Sequence, residues 1–413
     1  MRVQELAATV ADLDDAAHID AIRALEDLKS ACAAAQARIT AEFDATRTNP
    51  AGLGAEIALA RRESPNRGGR HLGFARAMQE MPHTLALLES GELNEWRATL
   101  LVRETACLTK EDRAVIDQEF CADPAVLAGL GDRAIETKAR ARAAQLDAEA
   151  VVRRARKAVA DRHVSIRPAP DTMTYVTALL PVAEGVAVWA NLKRDADSLV
   201  GTGQAGDRTR GQVMADLLVE RITSVDNADA QPVTVNVVIS DETLFGGGAA
   251  PAHVDGYGDI PAPIARNWIK NAVTKDVAEL RRLYANPTTG ALTNLESVAR
   301  CFPKGLARFI DIRDKVCRTP WCDAPIRHRD HIEPHENGGE TTELNGAGLC
   351  AACNYAKQAP GWSAEPEEAS GLHQYNFTTP SGHTYRSTAP PLPLPAKKRA
   401  RTRQVEIDIV WAA

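Results

Sequence analysis

Two pairs of cysteines, Cys317 with Cys322 and Cys350 with Cys353, constrain this chain more than any other feature of its sequence. The first pair spans the short turn Arg318-Thr319-Pro320-Trp321 and the second spans Ala351-Ala352. Four thiols in two such pairs close one tetrahedral zinc site, so the intervening chain must fold as a small unit around that knot. Within the interval lie Arg327-His328-Arg329-Asp330-His331-Ile332, then Pro334, Asn337-Gly338-Gly339 and Asn345, and after the last cysteine come Asn354 and Lys357. That order predicts a strand, a loop, a second strand and a helix. A four-thiolate zinc has no open coordination position and is therefore structural. Such pairs also occur in zinc ribbons that only bind, so the cysteines predict a zinc knob and leave catalysis to the residues between them.

Those residues resemble the HNH nucleases, whose ββα-metal motif has an Asp-His pair, a central Asn and a final His or Asn; here Asp330-His331, Asn345 and Asn354 match. The resemblance extends outward. Ala307-Arg308-Phe309 with Arg313-Asp314-Lys315-Val316-Cys317-Arg318, and Gly382-His383-Thr384-Tyr385-Arg386-Ser387 with Ala389-Pro390-Pro391, are similar to actinobacterial HNH proteins. Those carry an N-terminal domain called domain of unknown function 222, also labelled the 13E12 repeat family. The resemblance implies a DNA endonuclease with Asp330 and Asn354 on a catalytic divalent metal, His331 as general base, and Asn345 tying the loop so as to aim His331. Close relatives often carry His where this chain has Asn354, and an oxygen ligand there still serves Mg.

The chemistry of the side chains agrees with these roles. Phosphodiester hydrolysis needs a water made nucleophilic and a divalent cation that neutralises charge developing on the phosphate and the leaving oxygen. Histidine titrates near working pH and suits a base. Asp330 offers a hard oxygen suited to Mg or Mn, and Asn354 a carbonyl oxygen. Lys357, one helical turn beyond Asn354, is predicted to contact phosphate. His328 shares a strand face with Asp330 and is read as packed or solvated rather than as its partner; His335, in the loop, is assigned nothing.

A chain of 413 residues exceeds one small core and predicts two or three domains. The predicted class is α+β: a helical domain over 1–160, a mixed α/β region over 161–300, a zinc-stapled ββα-metal module over 301–365, and a loop-rich C-terminal extension over 366–413. In the first domain Leu6, Val10, Leu13, Ile19, Ile22, Leu25 and Leu28 recur near helical spacing. From Leu85 to Trp96 the pattern is helix, glycine turn, helix, which suits a DNA reader or an ordinary packed pair. The middle is expected to hold strands near 164–166 and 173–179, helices over 182–199 and 209–222, a strand over 233–239, a loop over 246–263, and a hairpin around Asn286-Pro287. A helix over 303–315 should lead into Cys317, and a weak strand is expected near His383.

A net charge of −6 gives no global sign of a nucleic-acid partner, so DNA contact must come from local patches. Two basic runs stand out: Arg133 to Arg162, read as a solvated helix face or a phosphate-contacting one, and the tail Lys397 to Arg403. The start Met1-Arg2-Val3 lacks the pattern of a secretion signal, and the apolar run Val176 to Leu192 is interrupted by Pro181, Glu184 and Gly185, so a cytoplasmic protein with no membrane span is expected. Cys32, Cys107, Cys121 and Cys301 lack pair spacing and are expected as buried thiols. The expected function is DNA cleavage with structural zinc and catalytic Mg or Mn. The rivals are a non-catalytic zinc-containing DNA-binding protein and a zinc-stabilised scaffold for other proteins. The oligomeric state is not readable.

Overall fold

Asp14 accepts a hydrogen bond from the Ala17 amide and so starts helix α1, Asp15–Thr46. It is the longest element of the computed structural model, which describes residues 14–223, 237–255, 257–274, 302–367 and 371–392. The helical domain continues with α2 (Leu53–Ala60), α3 (Gly68–Met78), α4 (Pro82–Ser90), α5 (Glu95–Thr105), α6 (Lys110–Cys121), α7 (Asp132–Leu146) and α8 (Ala148–Ala158). The face of α1 that enters the core is its small one, Ala33, Ala34 and Ala37, which lets α3 and α4 approach closely. Met78, Met81, Leu85, Leu88, Leu93, Leu101 and Ile135 fill the space around it. The larger periodic residues Ile19, Ile22, Leu25 and Leu28 face outward instead.

Helix α4 begins at Pro82, which needs no amide partner. Its next amides are capped from another helix, because buried Asp117 of α6 accepts from His83 N at 2.8 Å, Thr84 N at 2.7 Å and the Thr84 hydroxyl at 2.6 Å. The helix, glycine turn, helix pattern is realised as α4, Gly91 and α5. It is a packed pair: Leu85, Leu88 and Leu101 lie in the core, while Arg97 and Arg103 of α5 pair with Asp132 and Glu136 of α7. Part of the basic run is also neutralised, since Arg140 binds Glu104 and Glu136, Arg142 binds Glu119, and Arg153 lies near Asp147 and Glu149.

The middle region opens with antiparallel β1 (His163–Ala169) and β2 (Met173–Leu179), then α9 (Val182–Gly201) and α10 (Arg210–Thr223). A small antiparallel sheet follows, β3 (Val237–Val238), β4 (Ala252–Val254) and β5 (Gly258–Ile260), with α11 (Asp241–Phe245) between its first strands and α12 (Ala262–Thr274) after it. The expected loop over 246–263 therefore contains two strands and the start of a helix. Three-residue strands are too short to print a period-two pattern. The rest of the strand predicted over 233–239, the hairpin around Asn286, Leu6, Val10, Leu13, Cys301 and the basic tail lie outside the described residues.

Helix α13 (Lys304–Asp314) leads into the cysteine module, built from β6 (His328–His331), β7 (Gly346–Leu349) and α14 (Ala351–Lys357). The chain beyond, expected as loop-rich with one weak strand near His383, has that strand and two more. It forms a three-stranded antiparallel sheet of β8 (Ser363–Glu367), β9 (Gln374–Thr378) and β10 (Thr384–Thr388), whose Tyr375 and Phe377 pack with Ile332 and Ala347 of the hairpin. The isolated cysteines also differ from expectation: Cys121 is buried, but Cys107 is half-buried and Cys32 exposed on α1. Burial pushes the Cys121 thiol up to about 11, although a hydrogen bond from Thr84 opposes the shift. No helix among the described residues is long and apolar enough to cross a membrane.

Candidate functional site

The knot is assembled by two turns. Cys322 N donates to Thr319 O at 3.0 Å, closing the first, and Cys350 caps α14 through its sulfur, which accepts from Cys353 N at 3.4 Å. All four sulfurs of Cys317, Cys322, Cys350 and Cys353 are buried and lie within 4.8 Å of one another. Cys322 Sγ is 3.9 Å from Cys350 Sγ and 3.7 Å from Cys353 Sγ. A tetrahedral site with Zn–S bonds of about 2.3 Å has edges of about 3.8 Å, which these two separations match, so the donor set fits zinc.

Strand β6 pairs with β7 in the register His328–Leu349, Arg329–Gly348, Asp330–Ala347 and His331–Gly346. Alternation of faces along β6 sends His328 and Asp330 one way and Arg329 and His331 the other. His328 meets the Tyr355 ring of α14. The Asp330 carboxylate meets the Lys357 ammonium at 2.6 Å, and the same ammonium donates to the His331 carbonyl. Asn354, one turn before Lys357 on α14, is buried, and its Oδ1 finds no hydrogen-bond partner among the described residues. On the other face Arg329 pairs with Asp311 of α13 at 2.5 Å. The His331 ring lies 4.7 Å from that of Phe302 and 5.7 Å from that of His335, and its Nε2 is 2.9 Å from Thr341 Oγ1.

The loop between the strands is closed by Asn345. Its Oδ1 accepts from Glu333 N at 2.8 Å, and its Nδ2 donates to Glu333 O at 3.0 Å and to Glu340 O at 2.8 Å. Its carbonyl accepts from Ile332 N at 2.7 Å, directly after His331. The closure requires Gly339, because a β-carbon there would lie 2.0 Å from Glu333 O and 2.7 Å from Asn345 Nδ2. Thr341, which reaches His331 from this loop, carries no spacing signal, since its hydroxyl arrives only when Asn345 closes the turn.

A buried ionic cluster joins α13, the knot and the C-terminal sheet. Asp314, fully buried, binds Arg313 Nε at 2.7 Å, Arg318 Nη1 at 2.8 Å and Gly348 N at 2.7 Å. Burial alone would raise the Asp314 carboxyl, but the Arg313 and Arg318 guanidiniums and the Gly348 amide outweigh it and hold it below its ordinary value. Arg318 continues to His373 Nδ1 at 3.0 Å and Ser387 Oγ at 3.1 Å. Because Nδ1 of His373 accepts from a guanidinium, its proton sits on Nε2, which donates to Leu344 O at 2.8 Å.

Burial and the two guanidiniums push the His373 imidazole down to about 3. An unfolded chain takes up this proton near its ordinary pKa while the folded one does not, so stability is full above about pH 6.5 and is lost as pH falls toward about 3. The expected loss is about 2 kcal/mol between about pH 7 and about pH 5, at about 1.4 kcal/mol per pH unit. Urea melts should show it for the wild type and show a flatter profile for His373→Gln, which preserves an acceptor and a donor but cannot protonate.

A cysteine knot followed by a two-stranded hairpin with Asp-His on its first strand, and then a helix that starts at the knot, is the ββα architecture of HNH nucleases. Sequence comparison agrees: residues 316–359 match the HNH endonuclease domain, and residues 19–314 match the Domain of unknown function (DUF222). The chain belongs to the DUF222 family and carries an HNH endonuclease domain behind that region. This domain supports a nuclease role in general and implies a nucleic-acid substrate. No curated protein and no solved structure matches the chain.

Proposed function

We propose that this protein is an endonuclease that hydrolyses DNA phosphodiester bonds, with Zn held structurally by Cys317, Cys322, Cys350 and Cys353 and with Mg or Mn held by Asp330 and Asn354. The observation that carries the reading is the buried Asn354 Oδ1, without a partner among the described residues, on the α14 face that Asp330 approaches through Lys357. Burying an amide oxygen without a partner costs free energy, and a cation shared with the Asp330 carboxylate is the simplest group that satisfies it. A carboxylate with an amide oxygen is a hard-oxygen set, which favours Mg or Mn over zinc.

When bound, that cation supplies Lewis-acid stabilisation of charge on the scissile phosphate and the leaving oxygen. His331 accepts the proton of the attacking water, with its ring held between Phe302 and the Thr341 hydroxyl. Asn345 holds the loop that carries Thr341 and so positions the base. Lys357 pairs with Asp330, and in this reading its ammonium would contact a phosphate oxygen once a cation held the carboxylate.

The test is nicking of supercoiled plasmid by zinc-loaded protein with Mg or Mn and with chelator at low concentration. Metal-dependent nicking is expected. The pairing of Lys357 with Asp330 also favours the rival reading, a DNA-binding protein without turnover, because it balances the carboxylate with no cation. Salt-sensitive DNA binding with no cleavage of duplex, branched or single-stranded substrates would establish that rival.

A further inference from the structure

The zinc knot is completed from outside its own module. Asn66, in the turn between α2 and α3, aims its side-chain amide at two of the sulfurs, 3.5 Å from Cys322 Sγ and 3.7 Å from Cys350 Sγ. The same amide lies 3.5 Å from the Ser64 hydroxyl, which helps to fix its orientation. Two further contacts seat the module on the same part of the helical domain. Gly52, with φ +77°, approaches Trp362 so closely that a β-carbon would lie 2.5 Å from the indole Nε1. Buried Glu56 of α2 accepts from Ser381 N, between β9 and β10, at 2.8 Å, while Arg47 pairs with its other oxygen at 2.9 Å.

Four thiolates around one divalent ion leave an excess of negative charge on the sulfurs. N–H donors spread that charge, make the sulfurs harder to protonate and slow loss of the metal. One such donor is local, Cys353 N on Cys350 Sγ; Asn66 comes from a position 256 residues before Cys322. We propose that Asn66 is a positioning partner of the zinc thiolates supplied by the helical domain, so that zinc retention and docking of the nuclease module onto α2 are one linked equilibrium. The inference rests on the four cysteines being a zinc site. Its consequence for the proposed chemistry is direct, because α14, which carries Asn354 and Lys357, starts at Cys350.

Linkage requires that whatever tightens docking also slows zinc loss, and the reverse. The experiment measures zinc content of the full chain and then the rate of zinc transfer to a pyridylazo-resorcinol indicator. Asn66→Asp keeps the side-chain shape but places a carboxylate against the sulfurs; release about 10–100-fold faster than wild type is expected. Glu56→Ala, which removes the acceptor of Ser381 N and Arg47 and leaves Asn66 in place, is expected to speed release about tenfold through the docking equilibrium. Reciprocally, zinc removal should strip hydrogen-exchange protection from the Ser381 amide. Asn66→Ala serves as a second variant, and far-UV circular dichroism confirms that the helical domain is folded in each.

Wild-type release from both Asn66 variants at about one zinc per chain would overturn the role of Asn66. Fast release from them with wild-type release from Glu56→Ala would overturn the linkage. A chain that binds no zinc would overturn the zinc reading and this inference with it.

Discussion

Replacing His331 by alanine is expected to lower the rate of metal-dependent plasmid nicking by about 10²–10⁴-fold, the contribution typical of a positioned general base. Zinc content and DNA affinity should stay near wild type, because the ring packs with Phe302, His335 and Thr341 and the backbone pairing with Gly346 is retained. The ring is half-buried against Phe302, so the deletion leaves a small cavity and a stability control by urea melt belongs with the assay. Thr341→Val, which removes the hydroxyl beside Nε2 but keeps the volume, is expected to cost only about tenfold, the effect of lost aim rather than of a lost base. Nicking by His331→Ala at the wild-type rate would remove the imidazole from the chemistry.

Removing the zinc is expected to unfold residues 317–357 while leaving α1 to α8 intact. The cluster around the knot consists of Cys317, Cys322, Leu349, Cys350 and Cys353 with half-buried Ala324, so little apolar surface remains there when the metal is gone. Binding of structural zinc in small folds contributes on the order of 10 kcal/mol at neutral pH, more than the whole stability of many domains. The helical domain has its own core of alanine, leucine and methionine side chains. Chelation, or Cys350→Ser, should therefore abolish nicking and expose the hairpin to hydrogen exchange while far-UV circular dichroism falls only slightly. Retained protection of Ala347 and Gly348 amides after complete zinc loss would show that the Asp314 cluster holds the hairpin by itself.

The knot and the hairpin were legible because their information is local. Cysteines at short spacing announce a metal site wherever the rest of the chain goes, and an Asp-His dipeptide on a short strand keeps its register as long as β7 pairs with it. Helices α9, α10 and α13 were similarly readable from periodicity and from the turns that bound them. Of the C-terminal sheet only the last strand, near His383, was readable. Its strands are short and rich in polar residues, and the inward side is marked by Tyr375 and Phe377 with the smaller contributions of Ala364 and Tyr385. That inward side matters only because Ile332 and Ala347 lie opposite it. The first helix misled in the other direction: Ile19, Ile22, Leu25 and Leu28 mark a helical period but not the buried face, which close packing against α3 and α4 assigns to alanines.

What the sequence determined by itself is the chemistry available: four thiols for one metal, hard oxygens and an imidazole near each other on a hairpin, and a helical domain of separate construction. Tertiary structure alone decided which groups meet across long separations. It brought Asp314 to Gly348, His373 to Arg318, Lys357 to Asp330, and Asn66 to Cys322 and Cys350. The physical reason is that a metal site or a strand register is specified by residues close in the chain, whereas a buried ion pair or an N–H to sulfur contact forms only after desolvation has brought distant surfaces together.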